Sequence, residues 1–268
     1  AFFNDFVRGK IIGEISTVSE GIKTGNNDLF LRLWYEVNAN DFSFALFSRG
    51  YKWYPHHKGG EYRKWYGNLD WVINWANDGQ AIKSAGNSGL QGKSMYFKAF
   101  SGWSKISSKG SPFRLYEKNC LFDSGAPSIS NTDLLYTTAL FNTKVGAYFL
   151  TVISPTLNLQ VGDVKSVPLI VEQRDIVESM VHCCTDLSHN DWDSFETSWD
   201  FKRHPLVRGA ATVAEAFAAW EAECDARFNQ LKANEEKLNR IFINIYGLQD
   251  ELTSEVENKD VTVRKADL

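Results

Sequence analysis

Residues 49–68 read RGYKWYPHHKGGEYRKWYGN, a stretch with the chemistry of a polyanion surface. Arg49, Lys52, Lys58, Arg63 and Lys64 are interleaved with Tyr51, Trp53, Tyr54, Tyr62, Trp65 and Tyr66, and Glu61 is the one carboxylate among them. Cations neutralise phosphates, and flat rings and guanidinium planes stack on sugars and bases. Gly59-Gly60 lets backbone approach a partner closely or adopt positive φ at no steric cost. The competing reading makes the rings core and the lysines a solvated face, because aromatics go inside more often than not.

Charge is uneven along the chain. From Arg49 through Lys118, twelve Lys or Arg stand against four acids (+8), inside a chain whose net charge is −4. That asymmetry suits one face for a polyanion and an acidic remainder turned away from it.

Other constellations fail on spacing. GNSGLQGKS (86–94) has one residue too many for a phosphate-binding GxxxxGK[ST] loop. His182, Cys183 and Cys184 are consecutive, and neighbouring helix positions point about 100° apart, so they cannot converge on one ion. No metal site is expected. Neither GxSxG nor GxGxxG occurs, and His56-His57 reads as part of the basic stretch. The chain carries no evident catalytic centre.

Nine tryptophans and 14% aromatics in 268 residues support a large core. No apolar run approaches the ~20 residues of a membrane span. No signal-peptide pattern opens the chain, and four cysteines without framework spacing fit a reducing cytoplasm. The first residue is Ala, which suggests a piece of a longer protein.

The elements that must position the basic stretch follow from pattern. Strand candidates lie at 30–37, 42–54 and 69–78 (the last readable also as a helix), and 95–106, 112–123 and 134–153 supply more strands and one helix. Gly162-Asp163 reads as a turn. Residues 171–187 have helical spacing, and Phe217, Cys224, Leu231, Leu238 and Ile245 recur every seven residues. That heptad predicts an amphipathic helix over about 210–246, stopped at Gly247, packing on its own domain or on a coiled-coil partner. The expected fold is α+β. A β-rich domain (1–170) precedes a helical spacer or docking region (171–268) with an extended tail.

Several ordered blocks carry a family resemblance: GIKTGNNDLFLRLWYEV, KGGEYRKWYGN, SGWSKIS, CLFDSGAPSI, SPTLNLQVGDVKSVPL and LKANEEKLNRIFINIYGLQDEL. Together they are similar to the C-terminal region of the adenine-specific DNA methyltransferases of BREX phage-defence systems (the PglX family), relatives of single-chain type II restriction-modification enzymes. The family's S-adenosylmethionine loop and Asn-Pro-Pro-Tyr loop do not occur, since all six prolines are isolated. The resemblance therefore implies a target-recognition region of a larger methyltransferase. S-adenosylmethionine would be bound elsewhere in the parent, with no cofactor in this segment. Its implied partners are double-stranded DNA, the upstream methyltransferase domain and other defence-system proteins.

On this reading Lys52, Lys58, Arg63, Lys64 and Lys105, with the Gly59 and Gly60 N–H groups, contact phosphate and sugar. Arg49, Asn26, Asn27, Asn68 and Ser104 are candidates for base edges, and Lys23 and Thr24 belong to a loop beside them. Ordinary turn chemistry is the rival role for Asn26, Asn27 and Asn68. A surface meeting about six phosphates would lose about 10³ in affinity between 50 and 200 mM salt. The alternative function is an aromatic-rich protein- or carbohydrate-binding module.

Overall fold

The computed structural model describes residues 5, 7–43, 50–116 and 119–266. Twelve short strands occur among them: β1 (Lys10–Ile11), β2 (Thr17–Ser19), β3 (Ile22–Lys23), β4 (Leu31–Leu33), β5 (Trp53–His57), β6 (Trp71–Asn74), β7 (Gly89–Leu90), β8 (Phe100–Gly102), β9 (Arg114–Tyr116), β10 (Leu121–Phe122), β11 (Ser128–Ser130) and β12 (Pro168–Leu169). Two four-stranded sheets, ordered β10-β5-β6-β4 and β2-β11-β8-β9, form the β-rich part. Among the described strand pairs only β10–β5 is parallel, with Leu121 opposite His56. Minor pairs β1–β12 and β3–β7 tie loops together.

From residue 134 on, the described residues hold five α-helices: α1 (Leu134–Asn142), α2 (Lys144–Ile153), α3 (Val161–Lys165), α4 (Arg174–Trp192) and α5 (Val213–Tyr246); shorter ones (Ile12–Ile15, Asn27–Phe30 and Ala76–Lys83) lie among the strands. The fold is α+β, with the long helix last, as expected. α5 starts at Thr212, whose side chain accepts from the Glu215 N–H while Glu215 reaches back to the Thr212 N–H. That reciprocal cap satisfies two N–H groups that the first turn would otherwise orphan. It ends at Gly247 in the left-handed region, φ 65°. Its heptad seam faces inward: Cys224, Leu231, Leu238 and Ile245 are all buried within this chain. The same apolar cluster takes in Trp65, Trp103, Phe113, α1, α2 and α4, so one core runs through residue 170.

Several local expectations are corrected. Residues 134–153 contain two helices and no strand. Their apolar residues are buried nearly all round in α1, so no alternating face marks the helix type in the sequence. Thr143 breaks the run with extended backbone and caps α2, its hydroxyl accepting from the Gly146 N–H. A Cβ at Gly146 would lie 2.3 Å from the Leu140 carbonyl oxygen, which explains the glycine. The strand expected over 30–37 ends at Leu33, and Gly162-Asp163 lies inside the short helix α3. Of the strand expected over 42–54, residues 44–49 lie outside the described residues, and β5 runs from Trp53 to His57.

Candidate nucleic-acid interface

The 49–68 stretch is not one surface, which corrects the reading of it as a single presented platform. Trp53, Tyr54 and Trp65 are core residues. Lys52 is exposed at the N-terminal end of β5, 5.4 Å from the Trp53 ring centroid, and roughly 20 Å of strand separates it from Lys58. Arg49 lies outside the described residues. Arg63 and Lys64 are 7% and 8% exposed. Arg63 reaches Asp191 of α4 at 3.4 Å, and Lys64 reaches Glu235 of α5 at 2.8 Å. Glu235 also accepts from Trp65 Nε1 at 2.8 Å. Burial works against the Lys64 ammonium, but the Glu235 carboxylate outweighs it and raises the lysine's pKa. These two cations clamp the β-rich part to the helices, and that role replaces the phosphate contacts expected from the sequence.

A different set of residues does converge. At the C-terminal ends of β5, β8 and β10, loops from separate parts of the chain meet the β3–β7 pair. Lys58 Nζ bonds Asp123 Oδ2 at 3.0 Å, and Lys105 Nζ bonds Glu20 Oε1 at 2.5 Å. The Lys105 N–H donates to the Gly125 carbonyl, and the Ser124 N–H donates to that of Ile22. Lys23 pairs with Gly89, which places the 23–27 loop against Asn87 and Ser88. Gly59 and Gly60 take φ 86° and 115°, a left-handed path that other residues adopt only at a cost. The buried Ser104 hydroxyl donates to the Gly60 carbonyl at 3.2 Å, so Ser104 shapes the loop. Asn68, also buried, donates to the Glu61 carbonyl at 2.9 Å, and buried Thr24 donates to Asn27 Oδ1 at 2.6 Å. Asn26 caps the turn Asn27–Phe30 through the Leu29 N–H.

What remains outward-facing on these loops is Lys23, Asn26, Asn27 and Gly60, with Lys58 and Lys105 half-buried. The structure adds Lys93 and Lys109, both exposed, on neighbouring loops. Their membership in the +8 region was the only sequence signal for them. Glu20 and Asp123, which orient Lys105 and Lys58, had none. Of the lysines, Lys23, Lys58, Lys93 and Lys105 stand against Glu20, Asp28 and Asp123 on this face, a modest positive excess, while Lys109 lines the neighbouring cleft with Tyr62, Lys64 and Lys144.

Beneath it lie His56 and His57, both fully buried. The His56 ring faces Asp123 Oδ2 at 3.5 Å, and His57 Nδ1 accepts from the Gly59 N–H. Burial pushes the Asp123 carboxyl up, but the His56 hydrogen bond, the Gly125 N–H and the Lys58 ammonium outweigh it and hold it well below the carboxylate range. Burial lowers the pKa of both imidazoles, and His57, facing Arg114, falls well below the ordinary 6.5. The unfolded chain takes up these two protons near pH 6.5 and the folded chain does not. Stability is therefore complete above that pH and declines below it, by about 1.4 kcal/mol per pH unit per histidine until the folded pKa is reached. Urea midpoints at pH 7.5 and 5.0 should differ accordingly; equal midpoints would mean that water reaches the rings.

Among the described residues, His189, Asp193 and Asp200 bring possible ligand atoms within 4.8 Å of one another, with His189 already 3.1 Å from Asp193. Cys184 is a packed thiol whose pKa burial raises. No described helix is long and apolar enough to cross a membrane.

No protein-family profile matches the chain. The adenine-specific methyltransferase PglX of Lacticaseibacillus casei (strain Zhang) is 42% identical over 275 residues, which take in 95% of this chain and 23% of that protein. The adenine-specific methyltransferase BrxX of Escherichia coli O9:H4 (strain HS) is 35% identical over 263 residues, 96% of this chain and 21% of that protein. The chain thus spans less than a quarter of the length of these relatives.

Proposed function

We propose, on the premise that this chain belongs with the PglX and BrxX adenine-specific methyltransferases, that it reads duplex DNA for adenine-N6 methylation in a BREX phage-defence system. The observation that carries the proposal is the meeting of loops 23–27, 58–61, 87–93, 103–105 and 123–127 on one lysine-bearing face. Phosphate contacts fall to Lys23, Lys58, Lys93 and Lys105 and to the Gly60 N–H, which fix register. Asn26 and Asn27 are the exposed amides placed to meet base edges, where Asn pairs with adenine in bidentate fashion.

Methylating adenine requires turning the base out of the duplex, at a cost of a few kcal/mol. The task of this chain in that step is to hold the flanking duplex in place. The Asn-Pro-Pro-Tyr pattern that the family resemblance assigns to the flipped adenine does not occur in these 268 residues, and cofactor binding belongs, in this proposal, to the rest of the parent protein. A soluble, cytoplasmic setting and contact with a methyltransferase domain belong to the same proposal. The alternative of a carbohydrate module fits less well, since Trp53, Trp65 and Trp103 are buried and offer no platform.

With Lys52, Arg63 and Lys64 elsewhere, the face meets about four phosphates, so affinity should fall about 10² between 50 and 200 mM salt. Fluorescence anisotropy with a mixed-sequence duplex measures this directly. The variant K23E/K93E, both at exposed positions, should lose binding on the order of 10² and flatten the salt slope. Binding by the variant equal to that of the parent would remove this face from consideration.

A further inference from the structure

A cavity of about 410 Å³ opens between β5, β9, the start of α1, α4 and the 193–200 loop. Its inner part is apolar. Leu69, Tyr116 and Cys120 are buried there, and the Tyr116 hydroxyl is already taken by Arg114 Nε, which donates to it at 3.0 Å. Leu115, Leu134 and Leu135 form the walls and stay half-buried, and Tyr66 and Trp199 add half-buried rings. Side chains that pack against one another inside a core leave no such space.

The outer part is polar, and α4 supplies most of it. His182, Asp186 and His189 recur at i, i+4 and i+7, so they share a face of α4 distinct from the Val177, Val181 and Cys184 stripe that enters the core. Thr185 lies on that face, its Oγ1 shut off from solvent and without a hydrogen-bond partner among the described residues. A buried hydroxyl left unmet is costly, and the cavity is where its partner would stand. The His189 ring lies 4.1 Å from that of Tyr66, and Asp193 and Asp200 bring carboxylate oxygens within 4.8 Å of one of its nitrogens. Asp193, with Asp200 and Asp186 behind it, outweighs burial and raises the pKa of His189; Lys202 acts on Asp193 from outside the lining. Asp186 and Asp200 are in no ion pair among the described residues, and no described Lys or Arg lines the cavity.

An apolar interior with a few convergent polar groups at one end is the usual form of a small-molecule site. The polar end selects the charge of the ligand. Two carboxylates without a cation repel phosphates and carboxylic acids, whereas an ammonium group offers them three donors. The interior gives a sugar no hydrogen bonds, but a flat ring packs well between leucines. We propose that this cavity binds a small organic cation, a protonated amine joined to an aromatic body of one or two rings, with the ring on Leu69, Tyr116 and Leu135 and the ammonium among Asp186, Asp200 and the Thr185 hydroxyl. Tyr66 and Trp199 place aromatic rings beside the same charge. The site makes no use of the lysine-bearing face and stands apart from the DNA reading. Its occupant ties α4 and the start of α1 to β9.

Calorimetric titration of the 268-residue chain with tryptamine tests this. Indole-3-propionate, the same ring with a negative charge, and putrescine, a diamine without a ring, are the controls. Tryptamine should bind with a Kd of about 0.1 mM, in the range expected of a ligand of its size. Both controls should bind at least about tenfold more weakly. D186N/D200N, both at exposed positions, should weaken tryptamine about tenfold, the loss of a charge-assisted contact, and leave indole-3-propionate no weaker. L135W, which sets a ring into the cavity, should abolish tryptamine binding; if its thermal midpoint falls well below that of the parent, the D186N/D200N result decides alone. No binding of tryptamine at millimolar concentration, or unchanged affinity in D186N/D200N, overturns the proposal. Indole-3-propionate binding as tightly as tryptamine would mean an apolar hole without charge selection, and putrescine binding as tightly would mean a cluster of surface acids; either result overturns it too.

Discussion

Replacing Glu235 with alanine is expected to cost the fold about 3–5 kcal/mol, the penalty for stranding one charge of a buried pair. Glu235 is 2% exposed and its two oxygens are both occupied, one by Lys64 Nζ and the other by Trp65 Nε1, each at 2.8 Å. Removing it leaves an ammonium and an indole N–H without partners beneath α5. The loss is that of a desolvated charge, not of a surface ion pair, which would be worth about 1 kcal/mol at most. Substituting both partners with apolar residues, K64M/E235L, should recover most of the stability, because a packed apolar pair often matches a buried ionic one. Denaturant titration at pH 7.5 reads both values. A loss below about 1 kcal/mol for E235A would show that water reaches the pair, since only exposed pairs are worth so little. The clamp also fixes the 61–66 segment against α5, so E235A should loosen the β-rich part relative to the helices before global unfolding. Hydrogen exchange would show this as faster exchange at the Lys64 and Trp65 amides.

That clamp explains why the basic aromatic stretch misled. Lys64 and Arg63 meet partners 171 and 128 residues away, and nothing in local spacing announces a carboxylate so distant. A cation beside aromatics reads alike whether it faces phosphate or sits under a helix. Their locations were settled by Glu235 and Asp191, which themselves sit on amphipathic helices and look like ordinary surface acids in the sequence. Arg114 repeats the lesson: it is fully buried, donating to the Arg63 carbonyl and the Tyr116 hydroxyl. Part of the +8 count is thus consumed inside the molecule.

The long helix was legible because its seam repeats without interruption and both ends carry caps. α1 was not, since a helix surrounded by core has no polar side to give it away. The strands were found as apolar runs but placed too long, because most are only two or three residues and are held by tertiary contacts more than by pattern. Of the residues named on the family resemblance, Lys23, Asn26, Asn27, Lys58 and Lys105 lie on the loops that meet at the β3–β7 pair. Asn68, Ser104 and Thr24 turned out to be loop-building residues, the turn chemistry that competes for such side chains. Lys93 was invisible as a member of the face, since only the folding of loop 87–93 against Glu20 and Phe122 brings it there.

The second large effect follows from the division of labour proposed between segments. If this chain reads the sequence and another part of the enzyme transfers the methyl group, then exchanging the reading segment should change which adenine is modified, not how. Discrimination by base contacts amounts to about 1–3 kcal/mol per pair. Over several positions this is enough to move methylation wholly from one site to another. The exchange should preserve the clamp, because Lys64, Trp65, Glu235, Arg63 and Asp191 all lie within the grafted piece. The measurement that bears most directly on the central claim is therefore to graft these 268 residues into the Lacticaseibacillus casei PglX relative in place of its matching segment, and to sequence the methylated adenines in DNA from cells carrying each enzyme. Methylation at a new sequence, with the host enzyme's own sequence left bare, is the predicted result; an active hybrid that still marks the host enzyme's original sequence would contradict it.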